Sequence, residues 1–232
     1  MIFDGTIKSF DEIRKVQTHG PYYLGGYCFG GAVAFEMARQ LEGRGHRVAL
    51  VAVIDTPAPV AGTKAADVDE DEALYLSKIA RLIERWSNKD LGITYEKLQP
   101  LTPAEQMEFL EDQLKAVDIL PPEAGRAHVH GLVQVFKAST RNCARYLAQG
   151  TYHGAVALLR ASEIHIEDTG ISMNLHAHDD TWGWNLLAPA NVQLRVVPGD
   201  HVTMMAEPHV RTLASELSAC IRKAEEAFCP NE

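Results

Sequence analysis

Gly26-Tyr27-Cys28-Phe29-Gly30-Gly31 is the stretch on which the reading of this chain turns. Before it lies the apolar run Tyr22-Tyr23-Leu24, opened by Gly20-Pro21. After it comes Ala32 to Leu41, where Val33, Met37 and Leu41 recur at helical spacing. A strand, a tight turn and a helix therefore meet at a cysteine. In so sharp a turn, side chains two residues before and after the cysteine are expected to collide with the adjoining strand and helix. That requirement points to Gly26 and Gly30.

A glycine-x-nucleophile-x-glycine turn between strand and helix is the nucleophile elbow of α/β-hydrolases, here with a thiol where most members carry a hydroxyl. The helix behind the turn aims its N-terminal amides at the sulfur. The N–H of Phe29, first after the nucleophile, is placed to donate to a developing oxyanion. The bland alternative is a glycine-rich turn around an ordinary buried cysteine, and the flanking strand and helix patterns favour the elbow.

The totals narrow the class. A length of 232 residues suits one α/β domain carrying an insertion. No apolar run approaches membrane-spanning length, and Met1-Ile2-Phe3-Asp4-Gly5 lacks the features of a signal peptide, so a cytoplasmic protein is expected. A net charge of -9 argues against nucleic acid or an anionic membrane as the main partner. The 4 cysteines, Cys28, Cys143, Cys220 and Cys229, show no C-x-x-C spacing, which suggests neither a zinc site nor a redox pair. Cys143, Cys220 and Cys229 fall on helical stretches and read as small hydrophobes. No phosphate-binding glycine loop occurs, so no cofactor is expected.

Along the chain, Ile7 to Gln17 reads as an amphipathic helix and Tyr22 to Gly26 as the strand entering the elbow. The helix after the elbow ends near Gly43-Arg44-Gly45. Val48 to Ile54 is continuously apolar, as in a parallel strand covered on both faces. From Pro57 to about Gly150 helical signals replace strand signals. Leu74, Ile79, Leu82, Ile83 and Trp86 share one face. Thr102-Pro103-Ala104-Glu105 has the form of a capping box ahead of Met107, Leu110, Leu114 and Val117, and a longer helix spans about Glu123 to Gln149. Strand character returns at Gly154 to Arg160 and at Val192 to Val197. The latter leads into Pro198-Gly199-Asp200-His201 and a final helix from about Glu207 to Phe228. The expected architecture is thus an α/β-hydrolase core over 1–58 and 151–232, with a helical lid over about 59–150.

In an open parallel sheet, catalytic groups collect at the carboxyl edge. Cys28 follows one strand, Asp55 the next and His201 the last, in the chain order nucleophile, acid, histidine that this fold uses. His201 is expected to take the thiol proton and return it to the leaving group, while Asp55 orients the imidazole and stabilises its cation.

The segments Gly20 to Gly31, Phe35-Glu36-Met37-Ala38, Ile54-Asp55-Thr56-Pro57-Ala58-Pro59, Leu159-Arg160-Ala161 and Pro198-Gly199-Asp200-His201 resemble, over essentially the whole chain, the type I thioesterase domains of nonribosomal peptide synthetases and polyketide synthases. The resemblance implies Asp55 as the acid and the helical insertion as the lid. It also implies a substrate: an acyl or peptidyl chain on the phosphopantetheine arm of an acyl or peptidyl carrier protein, released by hydrolysis or cyclisation. Two departures stand out. Cys28 occupies the usual serine position, which makes the covalent intermediate a thioester. The strands that precede the elbow strand in the family, and with them the loop supplying a second oxyanion amide, are expected to be missing, leaving a shortened sheet.

Two rival readings are a dienelactone-hydrolase-like cysteine hydrolase, which places its acid after a later strand, and a truncated module that docks a carrier without turnover. Elsewhere, His176-Ala177-His178-Asp179-Asp180 has metal-like composition but no fourth ligand at structural spacing, so no metal is expected. Trp182 and Trp184 read as wall or packing residues. His19, His46, His128, His130, His153, His165 and His209 read as surface or supporting groups, and Asp200 as a turn former.

Overall fold

A computed structural model describes residues 12–60, 64–65, 71–163, 171–172 and 179–228. The chain forms two compact units, one of 1–64 with 142–232 and one of 65–141. In the first, strands β1 (Tyr22–Tyr27) and β2 (Val48–Ile54) flank helix α1 (Phe29–Gly43). After the insertion come β3 (Val156–Ala161), β4 (Val192–Val197) and the long helix α7 (His209–Phe228). A single helical turn, α6 (Trp184–Leu187), sits between β3 and β4. The four strands lie side by side in chain order, every neighbouring pair parallel, with Tyr27 opposite Ile54 and Ala161 opposite Val197.

The all-apolar sequence of β2 is explained by what covers it. Val48, Val51 and Val53 enter one core with Phe35, Ala38 and Leu41 of α1 and with Trp184. Ala49, Leu50 and Ala52 enter another with Leu213, Cys220 and Ala224 of α7. β3 divides in the same way, Val156 and Leu158 facing the first core and Ala157 and Leu159 the second. The result is a helix–sheet–helix sandwich, and each fully buried leucine or valine contributes about 2 kcal/mol to it. This is the α/β-hydrolase arrangement that the elbow implies. Of the expected first helix, 12–16 is helical, and Ile7 to Phe10 lie outside the described residues.

The second unit is helical: α2 (Glu72–Ser87), the short α3 (Tyr95–Leu98), α4 (Pro103–Ala116) and α5 (Arg126–Arg145), whose last residues belong to the first unit. Its own core joins Leu76, Ile79 and Ile83 of α2 to Leu110 and Leu114 of α4 and Val129 and Val133 of α5. Both helix starts follow from their sequence. Asp71 accepts from Ala73 N–H at the head of α2. At the head of α4, Thr102 accepts from Glu105 N–H while Glu105 accepts from Thr102 N–H, closing the capping box. α5 starts three residues later than Glu123 and ends before Gln149. The turn Tyr95–Leu98 has no counterpart in the sequence reading, being too short to show periodicity. Among the described residues, no helix is long and apolar enough to cross a membrane.

Candidate active site

The elbow is built where β1 meets α1. Cys28 adopts φ 55 and ψ -132, a conformation that L side chains rarely take and that costs about 1 to 3 kcal/mol. Main-chain bonds hold it there: Cys28 N–H donates to Ile54 O at 3.1 Å, and Gly31 N–H donates to Cys28 O at 2.9 Å. The hydroxyl of Thr56 is shared between Cys28 O at 2.7 Å and Ile54 O at 3.0 Å, which ties the end of β2 to the turn.

The glycine requirement falls partly on a different residue from the one expected. A Cβ on Gly26 would lie 2.0 Å from Gly30 O, so Gly26 is indispensable. A Cβ on Gly30 would meet nothing within 4 Å, which corrects the reading of Gly30 as a steric glycine. The second crowded position is Gly31, whose Cβ would fall 2.5 Å from the Thr56 hydroxyl oxygen. Gly30 packs by its backbone, not by its lack of a side chain. The clash at Gly31 comes from a residue on another strand end, which spacing within the motif cannot reveal.

Asp55 and His201 are brought together. His201 Nδ1–H donates to Asp55 Oδ2 at 2.8 Å, and the other carboxylate oxygen accepts from Ala161 N–H at 2.7 Å. Asp55, 5 % exposed, also sits at positive φ (49°), with its own N–H bonded to Leu159 O at 2.8 Å. The carboxylate is therefore aimed from the end of β2 by a bond to the end of β3. His201, 7 % exposed, arrives on the loop after β4. Burial works against its charged ring, but hydrogen bonds to Asp55 and to the Cys28 side chain, with the charges of the same two groups, outweigh it and push the imidazole up to about 9. The ring is held against the Asp55 carboxylate, which favours its protonated form. Cys28 itself is exposed. Phe29 is the first residue of α1, so its N–H has no partner within the helix and points with the others at the helix N-terminus.

Four groups that support this arrangement escaped the sequence reading. Tyr27 touches His201 both through its ring and through its hydroxyl. Thr56 and the N–H of Ala161 position Cys28 and Asp55. Glu36, fully buried in α1, is held by Arg39 at 2.8 Å, Gln40 at 2.8 Å and the hydroxyl of Tyr146 at 2.6 Å. Burial favours its neutral form, yet those donors win and hold it below the ordinary carboxylate range. Tyr27, Thr56, Glu36 and Ala161 all lie inside segments that drew attention for other residues.

Asp200 is a turn former: its Oδ1 accepts from Val202 and Thr203 N–H at 2.9 and 3.0 Å. Trp182 and Trp184 are packed, and Trp184 Nε1–H donates to Thr56 O at 2.7 Å. Cys220 is buried in the α7 core. Burial, then the charge of Cys28, pushes the partly buried Cys143 up to about 11. Cys229, His165, His176 and His178 lie outside the described residues.

A family model described as a thioesterase domain matches residues 8–221. The chain belongs to the thioesterase domain family. Chondramide synthase cmdD of Chondromyces crocatus is 28 % identical over 212 residues, 88 % of this chain and 5 % of that protein. The crystal structure of holo-AB3403, a four-domain nonribosomal peptide synthetase bound to AMP and glycine, is 27 % identical. It superposes with a TM-score of 0.80 over 94 % of this chain and 16 % of that one. This thioesterase domain therefore spans only a small part of the length of those relatives. The surfactin thioesterase domain SrfTE, 19 % identical, shares the fold with a TM-score of 0.59 over 92 % of this chain and 75 % of its own.

Proposed function

We propose that the domain releases an acyl or peptidyl chain from the phosphopantetheine thioester of a carrier protein, by hydrolysis or cyclisation, through an acyl-enzyme on Cys28. The observation that carries this reading is the 2.8 Å bond from His201 to Asp55 beside an exposed elbow cysteine, in a chain of the thioesterase family. The carboxylate that partners the imidazole follows the strand next to the elbow, which favours this reading over a dienelactone-hydrolase-like enzyme.

In the proposed cycle His201 takes the proton of the Cys28 thiol, and the sulfur attacks the thioester carbonyl, forming a sulfur–acyl bond. The oxyanion is met by Phe29 N–H, a donor of a kind whose loss costs about 3 kcal/mol in the transition state. Collapse breaks the bond to the pantetheine sulfur, which leaves as the thiol with the proton of His201. The neutral imidazole then takes a proton from water, or from a nucleophile within the acyl chain, as that group attacks the new thioester. Cys28 departs and recovers the proton. Asp55 holds the ring throughout and stabilises its cation. No cofactor enters this scheme, the helical insertion is assigned the role of lid, and the setting is cytoplasmic beside a carrier protein.

The test is turnover of an acyl-pantetheine thioester. Release of the acyl group by the wild type and its loss in Cys28→Ala support the proposal. Carrier binding without turnover would make the domain a docking module.

A further inference from the structure

We infer that Tyr27 is a positioning residue for the reaction, clasping His201 at ring and main chain so that base and nucleophile are tied to each other independently of Asp55. The inference rests on the reading of Cys28 and His201 as the reacting pair. Tyr27 is the last residue of β1, covalently next to Cys28, while His201 stands 174 positions away on the loop after β4. Its phenol ring stacks on the imidazole with centroids 4.6 Å apart and planes 21° from parallel. Its hydroxyl passes beyond the ring and donates to the carbonyl oxygen of His201 at 2.5 Å. One side chain thus fixes both ends of the histidine.

The imidazole has two edges and two faces. Asp55 occupies the Nδ1 edge, and the charge of Cys28 acts on the ring as well. Neither fixes the tilt of the ring about the line joining them, and Tyr27 on the face does. Its hydroxyl also anchors the backbone of a loop already tightened by Asp200 on Val202 and Thr203 N–H. Because Tyr27 is the residue before the nucleophile, any shift of the elbow carries His201 with it. Tyr27 acts through the histidine. An aliphatic residue there would keep the strand apolar but offer neither contact.

The test compares Tyr27→Phe, which keeps the stacked face and loses the hydrogen bond, with Tyr27→Leu, which loses both. On an acyl-pantetheine thioester, kcat is expected to fall about tenfold in Tyr27→Phe and about a hundredfold in Tyr27→Leu, with KM unchanged in both. The upper midpoint of the pH–rate profile is expected to move in Tyr27→Leu and to return towards the wild-type value in Tyr27→Phe. Nitrogen NMR of the His201 ring, which needs no turnover, is expected to show the same order of displaced titration. A rise in KM with kcat intact overturns the inference, as does reduced stability with wild-type kcat and titration. If the wild type releases no acyl group while the ring titration still moves in Tyr27→Leu, the thioesterase reading fails and the clasp stands.

Discussion

Replacing Asp55 by asparagine perturbs the pair on which the site depends, and the structure sets the size of the effect. Both carboxylate oxygens accept, one from Ala161 N–H at 2.7 Å and one from His201 Nδ1–H at 2.8 Å. An amide has a single acceptor oxygen. If that oxygen stays with Ala161, the amide NH2 faces Nδ1 and drives the ring proton to Nε2, the wrong tautomer for taking a proton from sulfur. If the amide turns over, its NH2 faces the Ala161 N–H and two donors meet. Either way the imidazolium loses the counter-charge of Asp55. The rise of His201 from 6.5 to about 9 corresponds to about 3 kcal/mol in favour of the folded cation. Because the folded value is raised, that stabilisation is fully present below about pH 6.5 and is lost as the pH climbs through about 9. Asp55→Asn is therefore expected to lower the His201 titration from about 9. It should also destabilise the domain more at pH 6 than at pH 10, by up to about 3 kcal/mol. Nitrogen NMR titration and urea unfolding at the two pH values measure both quantities. A His201 midpoint still near 9 in Asp55→Asn, or a stability loss equal at the two pH values, would refute the reasoning.

The elbow makes a sharp contrast testable by urea unfolding: Gly26→Ala places a Cβ 2.0 Å from Gly30 O and is expected to cost more than about 3 kcal/mol, whereas Gly30→Ala is expected to stay within about 1 kcal/mol of wild type. Among the described residues the buried hydroxyl of Tyr152 has no hydrogen-bond partner, so Tyr152→Phe is expected to leave stability unchanged or raise it by about 1 kcal/mol in thermal unfolding. A thioester intermediate retains more acyl-transfer potential than an oxygen ester. Cys28→Ser is therefore expected to shift released product from capture by an internal nucleophile towards hydrolysis, read as the product ratio by mass-resolved chromatography.

What was legible in the sequence is what local pattern controls. The glycine-flanked cysteine between an apolar run and a helical run locates the elbow. The two-sided burial of β2 is written in an uninterrupted apolar run, and Thr102 with Glu105 announces its own capping box. Asp55 and His201 stand out because Asp55 directly follows one strand and His201 lies on the loop after another, on the edge where such groups gather. What stayed hidden depends on contacts between distant parts of the chain. Gly31 is crowded by Thr56, which lies 25 positions along the chain. Asp55 is aimed by a main-chain N–H of Ala161, a donor that every non-proline residue carries. Tyr27 lay within the decisive stretch, but only the fold reveals that its neighbour in space is residue 201. The bond from Tyr146 to Glu36 spans 110 positions and leaves no periodic trace.

The most direct test of the account is intact-mass spectrometry of the domain after brief incubation with an acyl-pantetheine thioester, followed by peptide mapping. A mass increase equal to the acyl group is expected, located on Cys28, removed by neutral hydroxylamine as a thioester should be, and absent from Cys28→Ala. An acyl group found on any other residue, or acyl release by the wild type that persists undiminished in Cys28→Ala, would contradict it.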